Sequence, residues 1–192
     1  PLVFYTLALI KGYSEKHPEN SVTVALNTDS EPLVALVNKQ NQVPVINVKR
    51  KDELAGDVVA KVEVIKDTYL SCNNISSDVI IDLDITSPMR RIEDIENIIE
   101  EYITRRYNLV FSVVEARRSP YFNMVEKKTD DYYRKICVSN YTARQQAPKS
   151  YEMNASIYAY NPEFLQSRID KTILDYNCGI TVMPDYLVLD ID

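Results

Sequence analysis

The segment I81-D-L-D-I-T-S-P-M-R-R91, followed directly by I92-E-D-I-E-N-I-I-E-E-Y102, decides the fold of this chain. An apolar run over residues 79–83 ends in an acid, breaks at Ser87-Pro88 and leads into an amphipathic stretch of helical period. A buried strand followed by a helix is the repeating unit of an α/β protein. In an open α/β sheet, ligands bind beyond the carboxyl ends of the strands. The acid, hydroxyls and arginines after this strand are therefore placed for function.

The composition excludes several classes of function. The 192 residues carry a net charge of −6, which argues against a broad nucleic-acid surface. The chain has one histidine, His17, which leaves little room for Ser-His-Asp, Cys-His or histidine–metal chemistry. No apolar run is long enough to span a membrane, so no membrane partner is expected. Cys72, Cys137 and Cys178 lack metal-ligand spacing, and a sparse, odd count is typical of a reducing cytoplasm. Carboxylates, arginines and a hard cation remain as candidates for the chemistry.

Helical and strand periods alternate along the chain, which predicts one α/β domain over residues 1–192 with a mostly parallel sheet. Two helices are predicted over residues 1–13 and 32–40. A third is predicted after Gly56-Asp57, with the apolar stripe Val58, Val62, Ile65 and Tyr69. A fourth is predicted after Arg91, with these residues facing inward: Ile92, Ile95, Ile98, Ile99, Tyr102 and Ile103. Strands are predicted over residues 21–26, 43–47, 78–84, 108–114, 155–160 and 187–191. The polar, tyrosine-rich residues 117–149 are predicted to form an insertion.

Two acidic motifs compete for the chemistry. Asp82, Asp84 and Thr86 match the D-x-D-x-T pattern of haloacid-dehalogenase-type phosphatases, in which the first acid attacks phosphorus. That class also has the motif near the domain start and a later G-D dipeptide, and this sequence has neither feature. Asp190 and Asp192 stand two apart in a predicted strand, so their carboxylates would face the same way and could hold Mg²⁺. The alternative for this second pair is the solvated face of an edge strand.

Three further segments carry candidate binding residues. Arg144 offers a bidentate fork to a carboxylate or phosphate. Asn154 and Tyr158 could frame a small polar ligand from one strand. The basic residues 49–51 precede a predicted helix start and could meet an anion. A surface loop and a core strand remain the simpler interpretations of each segment taken alone.

Taken in order, six segments resemble the CMP-sialate synthetase (acylneuraminate cytidylyltransferase) family. The family pattern runs through S-T-D, R-P-x-x-L-A-x-D, Q-P-T-S-P-L-R, R-Q-x-x-P, N-G-A-x-Y and D-x-D. The chain has N27-T-D-S, R50-K-D-E-L-A-G-D, L83-D-I-T-S-P-M-R, R144-Q-Q-A-P, N154-A-S-I-Y and D190-I-D at matching spacings. Each motif alone is weak, whereas six in register along the whole chain are strong.

The resemblance implies a three-layer, Rossmann-like nucleotidyltransferase fold that joins CTP to a nine-carbon nonulosonic acid and releases pyrophosphate. It implies that an opening strand and a triphosphate loop lie before residue 1, and that residues 117–149 are the dimerisation arm of a homodimer. It also implies the following roles: Asp190 and Asp192 as catalytic acids that hold Mg²⁺, Arg50 and Asp29 at the nucleotide, Arg144 at the sugar carboxylate, and Ser87, Asn154 and Tyr158 along the sugar.

Three departures from the family pattern bear on the choice of sugar. Asp84 replaces the glutamine of sialate-activating members, Glu152 replaces an arginine, and Asn123 falls where a lysine would assist the sugar carboxylate. An acid rejects groups that an amide accepts, and a buried polar mismatch discriminates strongly between substrates. The sequence is similar to the branch that activates legionaminic acid, a 5,7-diacetamido relative of sialic acid. The alternatives are a phosphohydrolase that uses Asp82 and a catalytically dead nucleotide-sugar-binding homologue.

Overall fold

The computed structural model describes residues 1–56, 59–72, 75–129, 131–167, 169 and 172–191. The helices are α1 (Val3–Lys16), α2 (Glu31–Asn38), α3 (Lys61–Ser71), α4 (Ile92–Arg105) and α5 (Pro162–Gln166). The strands are β1 (Ala25–Thr28), β2 (Ile46–Lys49), β3 (Ile80–Leu83), β4 (Leu109–Glu115), β5 (Val125–Lys127), β6 (Tyr133–Lys135), β7 (Tyr151–Tyr160) and β8 (Cys178–Val182). No helix in the described ranges is long and apolar enough to cross a membrane.

The main sheet has the strand order β3-β7-β4-β8. Strand β7 is antiparallel to both β3 and β4, whereas β4 and β8 are parallel. Three of the four strands therefore share one direction, and the central strand β7 makes the sheet mixed rather than uniformly parallel. Strands β1 and β2 form a separate parallel pair.

Helices cover both faces of the main sheet, which confirms the predicted three-layer architecture. On one face, α1 and α4 pack over Val110, Ile157 and Ala159. On the other face, α3 and α5 pack over Leu109, Phe111, Tyr158 and Tyr160. Because side chains alternate along a strand, neighbouring residues of β7 belong to opposite cores.

Helix α4 forms where its period of apolar residues predicts it. The carboxylate of Asp94 accepts a hydrogen bond from the backbone N–H of Arg91 at 2.8 Å, which caps the helix start. Ile95, Ile98 and Tyr102 are buried as predicted, but the prediction that Ile103 faces inward is wrong, since 64% of this residue is exposed. Ile103 follows Tyr102 by about 100° around the helix, which carries it past the apolar stripe.

Several predicted element boundaries need correction. The strands predicted over residues 21–26 and 43–47 lie a few residues later, as β1 and β2. The strand predicted over residues 187–191 is wrong: a 3-10 turn spans Asp185–Leu187, and the chain then continues without strand pairing in its described part. Leu187 packs in the core, so this apolar residue anchors the segment without strand pairing. Helix α3 begins at Lys61 after Ala60, and the predicted cap Asp57 and stripe residue Val58 lie outside the described residues.

Residues 117–149 form an irregular connection between β4 and β7. It contains the antiparallel hairpin β5–β6 and a 3-10 turn at Arg144–Gln146. This connection exposes a group of large apolar side chains: Met124, Val125, Tyr132, Tyr133, Ile136 and Val138. We refer to residues 117–149 as the arm.

Candidate active site

An ionic cluster lies at the carboxyl end of β3. The Nζ of Lys61, the first residue of α3, is 2.8 Å from Oδ2 of Asp82 and 3.0 Å from Oδ2 of Asp84. Asp82 pairs in register with Tyr158 of β7, and Lys61 Nζ lies 5.1 Å from the centre of the Tyr158 ring. The fold therefore brings one cation, two carboxylates and an aromatic ring together where a ligand is expected.

The two carboxylates have different acidities. Burial raises the pKa of Asp82, and the charge of Lys61 only partly opposes this effect. Burial would also raise the pKa of Asp84, but the charge of Lys61 and hydrogen bonds from Lys61 and Thr86 outweigh it, so that the pKa of Asp84 is lowered. Asp84 is consequently an ionised hydrogen-bond acceptor at neutral pH.

The turn after β3 is built on Asp84. Its Oδ1 accepts hydrogen bonds from the backbone N–H of Thr86 at 3.2 Å and from the Thr86 hydroxyl at 3.0 Å. The backbone N–H of Ser87 donates to the carbonyl oxygen of Asp84 at 3.4 Å, and Ser87 is buried. These bonds hold the S-P-M-R loop against the strand end, as expected for an Asx-type turn.

Arg90 ties this loop to two other elements. Its Nη1 donates to the carbonyl oxygen of Ser156 at 2.8 Å and its Nη2 to the hydroxyl of Thr6 at 2.7 Å. Burial lowers the pKa of Arg90 to about 10, against the raising influence of Asp84 and Asp82. Arg90 therefore stays charged at neutral pH, and with Lys61 it balances the charges of the two carboxylates.

The C-terminal acidic segment lies beside the same loop. The backbone N–H of Ile191 donates to the carbonyl oxygen of Thr86 at 3.1 Å, and the neighbouring Asp190 is exposed. Asp192 lies outside the described residues. Residues 187–191 are not a strand, so the prediction that a strand makes these two carboxylates face the same way is wrong. Within the described residues, no group of three or more His, Cys, Asp or Glu side chains could hold a metal ion.

Asn154 is held by the fold rather than presented freely. Its Oδ1 accepts hydrogen bonds from the Ser112 hydroxyl at 2.6 Å and from the Ser156 N–H at 3.2 Å, and its Nδ2 lies 3.4 Å from Met183 Sδ. A register shift in the pairing of β4 with β7 accompanies this geometry, and Ala155 has a φ of +50°. The left-handed backbone falls where the family pattern has glycine, the residue that adopts it without strain.

The predicted nucleotide residues lie at the carboxyl ends of β1 and β2. Arg50 donates from Nη2 to the carbonyl oxygen of Asn27 at 2.9 Å and from Nε to its side-chain oxygen at 3.2 Å. Lys51 Nζ lies 2.5 Å from Asp67 Oδ1 on α3, and Asp29 is exposed. Arg50 and Asp29 thus flank the end of one strand pair, and their contact with the nucleotide stays a prediction.

The remaining predicted sugar residues lie elsewhere. Arg144 donates to the carbonyl oxygen of Arg117, and Arg117 forms an ion pair with Asp185. Glu152 is exposed near the start of β7 and pairs with Val114 of β4, whereas Tyr158 pairs with Phe111. Because the register shift lies between them, the two positions are only about 10 Å apart along the sheet. Asn123 is exposed in the arm, where its Oδ1 accepts from the Ser119 N–H at 2.8 Å. No hydrogen bond or ion pair among the described residues joins Glu152 to the Lys61 cluster.

Sequence reasoning missed Lys61 at this site and gave Arg90 no specific role. No sequence motif marks Lys61 as a site residue. Its partners Asp82 and Asp84 lie in and just after β3, which follows the whole of α3 in the chain. Arg90 was visible as part of an arginine pair, but its burial against Ser156 and Thr6 depends on contacts distant in sequence.

Comparisons with known proteins identify relatives of this chain by sequence and by structure. No family model matches it. Over 172 residues it is 33% identical to "Post-translational flagellin modification protein B" of Campylobacter coli, which covers 88% of this chain and 71% of that relative. It has the same identity and coverage with "CMP-N,N'-diacetyllegionaminic acid synthase" of Campylobacter jejuni. A solved structure of CMP:2-keto-3-deoxy-manno-octonic acid synthetase complexed with CTP superposes with a TM-score of 0.58 at 15% identity, covering 92% of this chain and 78% of that one.

The fold is thus that of the α/β nucleotidyltransferases, which confirms the predicted fold class. The identity to curated relatives over most of both sequences goes further, and the chain belongs to the CMP-nonulosonate (CMP-sialate) synthetase family, as its six motifs predict.

Proposed function

We propose that this chain is a cytidylyltransferase that joins CTP to a nonulosonic acid and releases pyrophosphate. The observation that carries the proposal is the 33% identity over 172 residues to CMP-N,N'-diacetyllegionaminic acid synthase. The reaction is an in-line displacement at the α-phosphorus, in which positioning and charge neutralisation do most of the work. A site of fixed hydrogen bonds at the carboxyl ends of strands suits that task.

We propose legionaminic acid as the sugar, ahead of N-acetylneuraminic acid. Asp84 is ionised and held by Thr86, so it accepts hydrogen bonds and cannot donate one. A glutamine amide at the same place would both accept and donate hydrogen bonds. The acid therefore favours a sugar that presents an N–H or O–H at this point and disfavours a bare acceptor.

The other roles follow the motifs. Arg50 and Asp29 would contact the nucleotide, while Ser87, Asn154 and Tyr158 would shape the sugar side. We assign Arg144, Asn123 and Glu152 to the pocket of a partner subunit, because the first two belong to the arm and Glu152 follows it near the start of β7. Arg144 would then hold the sugar carboxylate across a homodimer interface made by the arm.

Mg²⁺ is the cation we propose. Asp190 is exposed next to the Thr86 loop, and a carboxylate with room for waters and phosphate oxygens fits this hard ion. Asp190 and Asp192 would hold it. When bound, the ion would neutralise charge that develops on the phosphates. We propose the bacterial cytoplasm as the compartment of the reaction, where unpaired cysteines such as these three are expected.

The test is a turnover assay of the full-length protein with CTP and, in parallel, legionaminate, N-acetylneuraminate and Kdo. Pyrophosphate released only when both substrates are present is the expected result, with legionaminate preferred. Asp84→Gln should shift the preference toward N-acetylneuraminate. Phosphate released from simple phosphomonoesters and abolished by Asp82→Asn would instead establish the hydrolase. CTP binding without turnover of any acid would establish a dead homologue.

A further inference from the structure

We propose that Lys61 determines sugar specificity: with Asp84 it forms a paired donor–acceptor site for an acylamino or hydroxyl group of the sugar, and Asp82 positions it. The inference rests on the proposed cytidylyltransferase function. It adds two residues that neither the motifs nor the family resemblance assign to the sugar.

The hydrogen-bond capacity of Asp84 leaves one place for a ligand. A carboxylate has about four acceptor positions, two on each oxygen. Oδ1 already accepts from the N–H and the hydroxyl of Thr86, and Oδ2 accepts from Lys61 at 3.0 Å. One acceptor position on Oδ2 remains, and the Asp84 side chain is 29% exposed, so a donor can reach it.

The donor capacity of Lys61 is complementary. An ammonium group has three N–H donors: one bonds Asp84 Oδ2 at 3.0 Å, and the ion pair with Asp82 Oδ2, 2.8 Å from Nζ, occupies at most a second. The third is available to an acceptor, and 44% of the Lys61 side chain is exposed to solvent. A free donor and a free acceptor thus lie about one hydrogen-bond length apart, which suits a sugar substituent that offers an N–H or O–H next to an oxygen.

Asp82 fixes Lys61 in this place. The Asp82 side chain is only 18% exposed, and the Tyr158 ring lies beneath the ammonium at 5.1 Å. A lysine side chain is flexible, so a buried counter-ion and an aromatic surface are needed to hold its charge in one position. Asp82 acts through Lys61 and is therefore a positioning residue.

The charges favour a neutral sugar substituent over the triphosphate at this point. Any phosphate that contacts Lys61 Nζ would lie close to Asp84 Oδ2, which is 3.0 Å from the same atom. Like charges at such separations repel strongly in a partly buried site. Arg90 balances the cluster from within the fold, where its guanidinium is engaged by Ser156 and Thr6.

The test uses the full-length enzyme and separates the two substrates. Lys61→Met keeps the length of the side chain and removes its charge, while Lys66→Met is the matched control on the same helix, because Lys66 bonds only the Ser167 carbonyl among the contacts seen. We expect Lys61→Met to raise the KM for the preferred sugar roughly tenfold or more and to leave the KM for CTP within about twofold. The ratio of the kcat/KM values for the diacetamido and monoacetamido acids should move toward one. Lys66→Met should match the wild type.

A second variant guards against loss of folding. Lys61→Met leaves Asp82 buried without its partner, whereas Lys61→Met combined with Asp82→Asn removes both charges and should melt closer to the wild type. The double variant should show the same rise in sugar KM. Asp82→Asn alone should raise the sugar KM less than Lys61→Met, with kcat nearly unchanged.

The outcomes separate this inference from the proposed function. Wild-type turnover together with an unchanged sugar KM in Lys61→Met, or with a rise confined to the KM for CTP, would overturn the role of Lys61 alone. A wild type that releases no pyrophosphate with any acid would overturn the proposed function and the inference with it.

Discussion

The backbone N–H of Ile191 donates a hydrogen bond of 3.1 Å to the carbonyl oxygen of Thr86. This bond places the C-terminal acidic segment against the loop that follows β3. Asp190 and the Asp82-Asp84 motif, which belong to separate hypotheses in the sequence, therefore lie on neighbouring segments of the fold. One can serve the sugar while the other serves the cation, with no need to choose between them.

Asp190→Asn should weaken catalysis and leave stability almost unchanged. The side chain is exposed, so the substitution should alter the free energy of unfolding by no more than about 0.5 kcal/mol. Loss of a ligand charge should require at least roughly tenfold more Mg²⁺ for half-maximal activity. Pyrophosphate release against Mg²⁺ concentration, with urea unfolding alongside, measures both effects. Glu100→Gln, an exposed acid on α4, is the control, and an unchanged Mg²⁺ dependence in Asp190→Asn would refute the metal assignment.

The arm should carry the dimer interface. Val138 is 100% exposed and Tyr133 is 68% exposed, which is unusual for apolar side chains in one small segment. Val138→Asp with Tyr133→Asp should shift sedimentation from dimer toward monomer at micromolar concentration. Leu70→Asp, on the exposed side of α3, should not. If the arm variant sediments as the wild-type dimer does, the interface lies elsewhere.

The stability of the α1–α4 contact should depend on pH. His17 Nε2 lies 2.5 Å from Glu96 Oε1, and hydrogen bonds that the ring donates to Glu96 and, with a smaller effect, to Glu19 raise the pKa of His17. Because the folded-state pKa is raised, this contribution is complete below the unfolded value of about 6.5 and is lost as pH rises through the folded-state pKa. The pKa of Glu96 is lowered by Lys16 and then His17, so its contribution is lost only as pH falls through that lowered value.

Thermal unfolding of the wild type and His17→Gln checks this expectation. The difference in Tm should be largest near pH 5.5, below the unfolded pKa of about 6.5, and should shrink as the pH rises through the raised folded-state pKa of His17. Glu15→Gln, which breaks the exposed pair with Lys11, should show no such trend through that range. A difference in Tm that is constant with pH would mean that ring packing of His17 on Tyr13, at 4.8 Å between centroids, is its main contribution.

Ala155→Gly should be neutral or stabilising, by up to about 1 kcal/mol. Ala155 has a φ of +50°, where a side chain costs about 1–2 kcal/mol, and glycine removes that cost while adding freedom to the unfolded chain. Ala159→Gly, in the core-facing part of the same strand, should destabilise by about 1 kcal/mol. Urea unfolding of the two variants gives the comparison. Equal destabilisation by both would show that the left-handed backbone at Ala155 carries no strain.

Apolar periodicity in the sequence predicted the elements that it determines, such as α4, and failed where packing between distant residues decides the structure. Helix α4 has strong apolar periodicity, so its bounds and its buried face were predictable apart from Ile103 at its end. Residues 187–191 also alternate, yet they form no strand, because one buried side chain, Leu187, is enough to anchor a loop. Strand β8 was missed because it is short and contains Gly179. An added Cβ there would lie 2.3 Å from the Tyr107 ring, so packing rather than strand propensity selects glycine.

The candidate site was predictable only in part, because some of its contacts join residues that are distant in sequence. Asp84, Ser87 and Tyr158 were identified from motifs and do lie at or beside the end of β3. Lys61 was not identified, because its partners Asp82 and Asp84 are reached only through the packing of α3 on the sheet. Arg144 matched a motif position and Glu152 departed from one, but the distance of either residue from the Lys61 cluster depends on the path of the arm and on the register shift in β7, which the sequence does not reveal.

The central position of β7 has a consequence for biosynthesis. Strands β3 and β4 both pair with β7 and not with each other in the described sheet, so neither acquires its shared neighbour until the ribosome has passed Tyr160. Such distant pairing is slow, and it leaves the edges of β3 and β4 open on the nascent chain. Asp82 meets Tyr158 only at that late stage. Substitutions within β7 should therefore reduce the yield of native enzyme during synthesis more than they lower the melting temperature of the molecules that do fold.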